Sequence, residues 1–154
     1  GYSRFKDDSD TALAMKIIHE EWQDISSWVL VGGGGGRLDH LMDLFTQFKK
    51  LSPPSLWFTA HESLILVTSH IVLDAIPSGT TVSVIPAWGD AVSRVSSTGL
   101  VWELEDYEIS AVGTSLSNIT RLDTLELRVV GNPVFLVMDI TEGALSPQKR
   151  DDTI

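Results

Sequence analysis

Hydrophobic residues follow a helical period near the start of the chain. Between residues 10 and 23, the apolar residues Leu13, Ala14, Ile17 and Ile18 recur at a spacing of three or four positions. This spacing places them on one face and predicts an amphipathic helix.

A short apolar run separates this helix from a second one. The run SSWVLVG, residues 26–32, ends in glycine, as expected of a buried parallel strand. After five glycines, Leu38, Leu41, Met42 and Phe45 repeat at helical spacing and predict a helix that ends before the chain-breaking LSPPS. The order helix, strand, glycine-rich turn, helix is typical of an α/β layered domain, of which one strand is visible.

Beyond Pro54 the period changes from helical to extended. Short β-rich segments are separated by turn sequences such as IPSGT, AWGD and VGNP. The segments are SLWFT, SLILVTSHIVLD, TTVSVIPAW, AVSRVSS, LVWEL, YEIS, TLELRVV and PVFLVMDI. So many short strands without an intervening helix predict an antiparallel sandwich or barrel, followed by a polar tail.

Composition narrows the possible partners. The 154 residues carry 21 acidic and 11 basic side chains, and the net charge of -10 disfavours binding to nucleic acid or to an anionic membrane surface. Divalent metal ions can still join carboxylates to the phosphates of a nucleotide. The lack of cysteine excludes disulfides and thiolate chemistry, and no apolar run reaches about 18 residues. A cytoplasmic protein is expected.

The sequence VGGGGGRLDH, residues 31–40, combines bare backbone with charge. Glycines between a strand and a helix let backbone N–H groups approach a ligand, and the partial positive charge of a helix N-terminus favours phosphate. The stretch is neither a P-loop, because no Lys-Ser or Lys-Thr follows, nor a clean dinucleotide fingerprint. A flexible surface turn with a charged helix cap is the alternative.

Four motifs, taken together, resemble those of the thiamin pyrophosphokinase family. GGRLDHLMDLF is similar to the family's G-G-R-x-D-H-x-x-x-N signature, and KDDSDTALAM to its K-D-x-T-D-x-x-x-A motif. STGLVWEL and TSLSNI resemble its G-(hydrophobic)-(K/R)-(W/Y)-x-L strand and its S-x-S-N turn. The motifs occur in the family's order and span about residues 5–140.

The resemblance implies a fold that mixes α/β and α+β organisation. Residues 1–53 would form the C-terminal part of a Rossmann-like α/β ATP-binding domain, residues 54–143 an antiparallel β-sandwich that binds thiamin, and residues 144–154 a polar tail. The family's N-terminal strands, with their D-G-(G/A) and G-D-x-D-S motifs, have no counterpart here. The C-terminal part of a longer enzyme is therefore expected, rather than a reduced homologue.

The chain also departs from the family pattern at single positions. Ser9 replaces the usual threonine, Asp43 stands where asparagine is common, and Val101 replaces the basic residue before the tryptophan.

The activity implied by the resemblance is transfer of the diphosphoryl group of ATP to the hydroxyl of thiamin, giving thiamin diphosphate and AMP. It also implies Mg²⁺ and a homodimer with active sites shared between subunits. A non-catalytic thiamin-binding or dimerisation module without the ATP-holding strands is the alternative. A third hypothesis is a generic nucleotide-binding protein with an unrelated β domain.

Acidic and basic side chains in the first two motifs are the candidate catalytic groups. Asp7 and Asp10 lie three residues apart at a helix start, where both could hold one Mg²⁺; helix capping is the alternative. Arg37 can direct two N–H donors at phosphate oxygens. Asp39 could hold Arg37, bind metal through water, or contact the substrate hydroxyl, and a surface ion pair is the alternative for both residues. His40 is not included among the catalytic residues.

The nucleotide would contact the end of the glycine stretch. Gly34, Gly35, Gly36 and Arg37 are the candidate residues for binding ATP, through backbone N–H groups and the guanidinium.

The last two motifs supply candidate contacts to thiamin. Trp102 is either a core residue or an aromatic surface for the cationic thiazolium ring. Ser115, Ser117 and Asn118 are predicted to form a polar turn that hydrogen-bonds the aminopyrimidine, with ordinary turn chemistry as the alternative. The other four tryptophans, Trp22, Trp28, Trp57 and Trp88, are assigned to packing.

Overall fold

The computed structural model of the chain describes residues 9–21 and 27–140, which form two helices and ten strands. The helices and strands are α1 (Asp10–Glu21), β1 (Val29–Val31), α2 (Leu38–Leu51), β2 (Leu56–Phe58), β3 (Glu62–Val67), β4 (His70–Leu73), β5 (Thr81–Pro86), β6 (Ser93–Thr98), β7 (Tyr107–Ile109), β8 (Ser115–Ile119), β9 (Leu125–Gly131) and β10 (Val134–Asp139). The fold is mixed α+β with two sheets. Among the described residues, neither helix is long and apolar enough to cross a membrane.

The strands are arranged in a six-stranded and a four-stranded sheet. The first sheet has the order β1-β2-β3-β10-β5-β8, and the second β4-β9-β6-β7. Only β1 and β2 are parallel among the described strand pairs, with α2 connecting them as a crossover. Strand β2 also pairs antiparallel with β3. The first sheet is therefore continuous across residues 53 and 54, where the sequence predicts a domain boundary.

One hydrophobic core contains side chains from both sheets. In β9, Leu125, Leu127 and Val129 are buried, while Arg128 and Val130 between and beyond them are exposed. This period of two directs alternate side chains toward the core, as the β-rich sequence pattern predicts. Further buried members come from β3, β5, β6, β7 and β10.

A second core lies between α2 and the other face of the first sheet. The aromatic rings of Phe45, Phe48, Trp57 and Phe135 have centroids 5.6–6.4 Å apart, at mostly edge-on angles. Phe48, Trp57 and Phe135 are at most 1% exposed. Edge-to-face contacts of this kind stabilise a pair beyond the area that it buries.

Both predicted helices are confirmed, but their buried faces differ from the prediction. In α2, Leu38 and Met42 are exposed, and the inward side chains are Leu44, Gln47 and Phe48. Leu41 and Phe45 of the predicted face do pack against the second core while half-buried, so the covered face is shifted and not replaced. The reason is that the same helical spacing continues one turn further along the sequence, to Leu44 and Phe48.

Helix α1 shows the same kind of correction. Leu13 and Ile17, on the predicted face, are 50% and 42% exposed, whereas Ala12 and Met15 are buried. Helix α1 contacts α2, so the side that faces α2 is covered and the apolar residues elsewhere on α1 remain accessible.

The tryptophan assignment is confirmed for the described residues. Trp57 is buried in the second core, and Trp28 and Trp88 pack against that core while half-buried. Trp22 lies outside the described residues.

Candidate functional site

The start of α1 and the glycine stretch meet at one cleft of about 330 Å³. The residues that line it are Ser9, Thr11, Gly33, Gly35, Gly36, Arg37, His40 and Leu44. The structure thus brings the first two sequence motifs together. Asp10 is the exposed first residue of α1 and directly follows Ser9, whereas Asp7 lies outside the described residues.

Gly34 lines a neighbouring cleft of about 240 Å³ instead. A Cβ on Gly34 would lie 2.2 Å from Thr59 Cγ2, closer than real Cβ atoms approach a neighbour, so this position requires glycine. The same cleft is also lined by Leu116, in the middle of the SLSN sequence. It therefore joins the glycine stretch to a residue of the fourth motif within one chain.

Arg37 and Asp39 form an ion pair at the entrance to α2. Arg37 Nε donates to Asp39 Oδ1 at 3.0 Å, and Arg37 Nη2 contacts Asp39 Oδ2. The side chains are 72% and 60% exposed, so the guanidinium is held at the surface of the cleft. This contact agrees both with an Asp39 that holds Arg37 and with the alternative of a surface ion pair, so the roles of the two residues stay predictions.

The ion pair also affects the titration of Asp39. The hydrogen bond from Arg37 is the main cause that lowers the pKa of the Asp39 carboxyl below its ordinary value, and the backbone N–H of His40 adds to it. A lowered pKa means that the carboxylate, and with it the ion pair, persists through the usual aspartate range. The ion pair is lost only as the pH falls through that lowered pKa.

Ser9 and Asp43, which both depart from the family pattern, contact each other. Ser9 Oγ donates to Asp43 Oδ2 at 2.9 Å and accepts from the backbone N–H of Ala12 at 3.2 Å, as an N-cap of α1. Asp43 Oδ1 accepts from Gln47 Nε2 at 3.0 Å. Because Ser9 is on the first motif and Asp43 on the second, this hydrogen bond fixes the start of α1 against α2.

Trp102 is exposed, so the core alternative for this residue is wrong. The tryptophan is 60% exposed and lies in the segment between β6 and β7, which is not the strand predicted from LVWEL. Its backbone N–H donates to Asn118 Oδ1 at 3.2 Å, and its carbonyl accepts from Asn118 Nδ2 at 2.7 Å. The third and fourth motifs are therefore in direct contact.

The polar sequence SLSN is part of a strand rather than the predicted turn. Ser115, Ser117 and Asn118 belong to β8, whose pairing with β5 shifts register between Val82 and Val84. Ser117 has φ of 55° at this irregularity, and its N–H donates to Ser83 Oγ at 3.0 Å. A bulge explains the polar, turn-like composition within a strand. Ser117 is exposed, Ser115 is half-buried, and Asn118 is buried.

Glu103 is a structural residue of the Trp102 segment that the sequence pattern did not indicate. Its carboxylate accepts from Ser97 Oγ at 2.7 Å and from Gly99 N at 2.8 Å, and Arg121 Nη2 contacts it at 3.4 Å. Glu103 thus closes the loop that carries Trp102. The sequence signal for this residue is that Glu103 directly follows Trp102 in the third motif.

Gly99 should not tolerate a side chain, because the loop to Trp102 turns there. Its φ is +108°, and a Cβ would lie 2.2 Å from the carbonyl oxygen of Thr124. Strained backbone and overpacking each cost about 1–3 kcal/mol, so we expect Gly99→Ala to lower the free energy of unfolding by roughly 3 kcal/mol. Urea denaturation measures this change. Gly89→Ala is the control, since nothing lies within 4 Å of its Cβ position, and an equal loss in both variants would contradict the assignment.

Within the residues that the structure describes, no three histidine or carboxylate side chains cluster as metal ligands. Asp10 is the one predicted metal ligand in this part of the chain.

Comparison with known proteins finds a family model that matches the part of the chain with the third and fourth motifs. Residues 68–129 match the family model described as thiamin pyrophosphokinase, vitamin B1 binding domain. Trp102, Ser115, Ser117 and Asn118 all fall within the matched range. The resemblance drawn from the motifs is confirmed, and an unrelated β domain is wrong. No curated protein matches the chain.

Solved structures of low sequence identity share the fold. A thiamin pyrophosphokinase from Geobacillus thermodenitrificans is 21% identical with a TM-score of 0.67, covering 92% of this chain and 66% of that one. A thiamin pyrophosphokinase family protein from Enterococcus faecalis is 14% identical with a TM-score of 0.68, at 92% and 68% coverage. The yeast thiamin pyrophosphokinase is 21% identical with a TM-score of 0.58, at 73% and 39% coverage. The chain spans about two thirds of the length of the bacterial structures.

Proposed function

We propose that this protein, which carries the vitamin B1 binding domain of the thiamin pyrophosphokinase family at residues 68–129, takes part in diphosphoryl transfer from ATP to thiamin. The products are thiamin diphosphate and AMP. The observation that carries the proposal is the exposed Trp102 inside the matched domain, held by the side chain of a second motif residue. The cleft at the glycine stretch supports the nucleotide half of the reaction.

Thiamin would bind against the indole of Trp102. The vitamin carries a fixed positive charge on its thiazolium ring, and an indole face attracts such a cation by about 0.5–2 kcal/mol, depending on desolvation. An indole that is 60% exposed presents ring surface to a ligand, which a core tryptophan does not. Ser115 and Ser117, which belong to the same strand as Asn118, are assigned to hydrogen bonds with the aminopyrimidine of the same ligand.

The phosphates of ATP would bind in the cleft at the start of α2. Gly35 and Gly36 line the cleft without side chains, and the N-terminus of α2 adds partial positive charge. The guanidinium of Arg37 stands in the same cleft and is oriented by Asp39. A fork of N–H donors there stabilises the negative charge that grows as the AMP phosphate departs.

Magnesium fits the donors that the first motif offers. Mg²⁺ prefers hard oxygen ligands and retains several waters, so one or two carboxylates suffice. We assign Asp7 and Asp10 to this role: Asp10 is exposed and follows Ser9, which lines the cleft. When bound, the ion neutralises phosphate charge, which is the main requirement of phosphoryl transfer.

The two halves of the site would be completed by a second copy of the chain. Val101, Trp102 and Leu116 are exposed apolar side chains of the third and fourth motifs, at 47%, 60% and 64%. A partner subunit that covers Val101 and Leu116 and leaves the indole of Trp102 facing a shared active site would remove apolar surface from water and keep the thiamin site open. The proposed division of the chain is by function and not by sheet: residues 1–53 would bind ATP, residues 54–143 would bind thiamin, and residues 144–154 would be a polar tail. The proposed location is the cytoplasm.

The reaction products test the proposal. Purified protein incubated with ATP, Mg²⁺ and thiamin should release AMP in equal amount to thiamin diphosphate, because the β,γ-diphosphoryl group is transferred whole. Chromatography of the nucleotides distinguishes AMP from ADP, and a reaction without thiamin is the control. ADP as the product would reject the assignment. Thiamin binding without any AMP would instead support the non-catalytic module.

A further inference from the structure

Asn118 is buried directly behind the exposed Trp102. Only 4% of Asn118 is accessible, and its amide oxygen accepts from the N–H groups of Trp102 and Ile119, at 3.2 and 2.9 Å. Its amide nitrogen donates to the Trp102 carbonyl at 2.7 Å. Three of the four hydrogen bonds that an asparagine side chain can make are therefore used inside the protein.

These contacts also decide the orientation of the amide. The Trp102 N–H can only donate and the Trp102 carbonyl can only accept, so the oxygen and the nitrogen of Asn118 each have one permitted position. The side chain acts as a two-point clamp on the backbone of a single residue.

The segment that carries Trp102 needs such a clamp. The segment between β6 and β7 has no regular strand pairing at Trp102. The nearest backbone hydrogen bonds that precede it are those of Val101 N to the Ile119 carbonyl and of Arg121 N to the Gly99 carbonyl. Neither involves Trp102 itself. Without Asn118, both backbone groups of Trp102 would lose the partners that the structure gives them.

We propose that Asn118 is a positioning residue that supports thiamin binding only through Trp102 and does not contact the ligand. The inference rests on the proposed function and sharpens it. A flat ligand gains most from an aromatic surface that is already held in place, since ordering that surface on binding would weaken affinity. Asn118 would provide that order in advance, and Trp102 would provide the contact.

A double-mutant cycle tests this division of roles. Thiamin binding is measured by calorimetry for the wild type, Asn118→Ala, Trp102→Ala and the double variant. We expect Asn118→Ala to weaken thiamin binding about tenfold, as the loss of one or two neutral hydrogen bonds allows. In the Trp102→Ala background the same change should alter affinity by less than about twofold.

Further variants separate a general loss of structure from a specific loss of thiamin affinity. Asn118→Ser is a second variant in case the alanine variant does not fold. Ser93→Ala removes an equally buried hydroxyl, whose Oγ donates to the Asn132 carbonyl at 2.6 Å. Ser93 begins β6, whose other end leads to Trp102, so this change should leave thiamin affinity unchanged. In addition, the indole N–H resonance of Trp102, assigned with Trp102→Phe, should shift or broaden in the Asn118 variants.

The outcomes are distinguishable. If Asn118→Ala weakens binding equally with and without the indole, Asn118 contacts thiamin itself and the inference is wrong. It is also wrong if the Asn118 variants bind thiamin like the wild type, or if the Trp102 resonance is unchanged. Failure of the wild-type protein to bind thiamin would reject the proposed function instead.

Discussion

Replacing Arg37 with alanine should lower kcat by roughly 10²–10³-fold, the usual effect of removing one donor that stabilises charge in a transition state. Arg37 lines the cleft at the start of α2, and its guanidinium is 72% exposed, so truncation removes charge from the cleft without opening a core. Steady-state AMP release measures the change, and thermal unfolding should show a stability close to that of the wild type.

Two further variants sharpen this result. Arg37→Lys keeps the charge but not the planar fork, so it should restore only part of the activity. Arg128→Ala is the matched control, because Arg128 is also an exposed arginine beside a carboxylate, Glu126, but lies on β9 of the second sheet. Wild-type turnover in Arg37→Ala, or an equal loss in Arg128→Ala, would contradict the assignment.

Replacing Asp10 with asparagine should abolish measurable turnover while leaving the fold intact. The change keeps the size of the side chain and removes the charge that would hold Mg²⁺ near the phosphates. Asp10 is exposed at the first turn of α1, and Ser9 provides the N-cap hydrogen bond to Ala12, so the helix start is retained. Turnover is followed as AMP release across a Mg²⁺ titration.

The Mg²⁺ titration separates a metal role from a capping role. A small residual activity that rises with Mg²⁺ concentration would agree with a weakened metal site. Glu20→Gln, an exposed change in the last turn of the same helix, is the control for loss of one negative charge and should leave turnover unchanged. If Asp10→Asn turns over at the wild-type rate, Asp10 does not hold the metal ion.

The relation between Ser9 and Asp43 shows how local sequence differences can be coupled. Each residue alone is a departure from the family pattern, and the sequence does not connect them. The structure joins them by a hydrogen bond of 2.9 Å. A serine and a carboxylate can form this contact directly, so the altered pair still links the first motif to the second.

The sequence by itself determined the helices, the change from helical to extended pattern, and the resemblance to the thiamin pyrophosphokinase family. Period and turn residues are local, and the four motifs are short enough to recognise without coordinates. The glycine stretch, Arg37 and the start of α1 were also identified as neighbours in function before any geometry was known.

Only the tertiary structure decided which face each helix buries, how β2 is paired, and where Trp102 points. The helical period of α2 runs from Leu38 to Phe48, and contact with the sheet decides that Leu44 and Phe48 are buried while Leu38 and Met42 stay exposed. Strand β2 has partners on both sides, one parallel and one antiparallel. The backbone of Trp102 is held by Asn118, sixteen residues away in sequence, and such a long-range contact leaves no periodic signal.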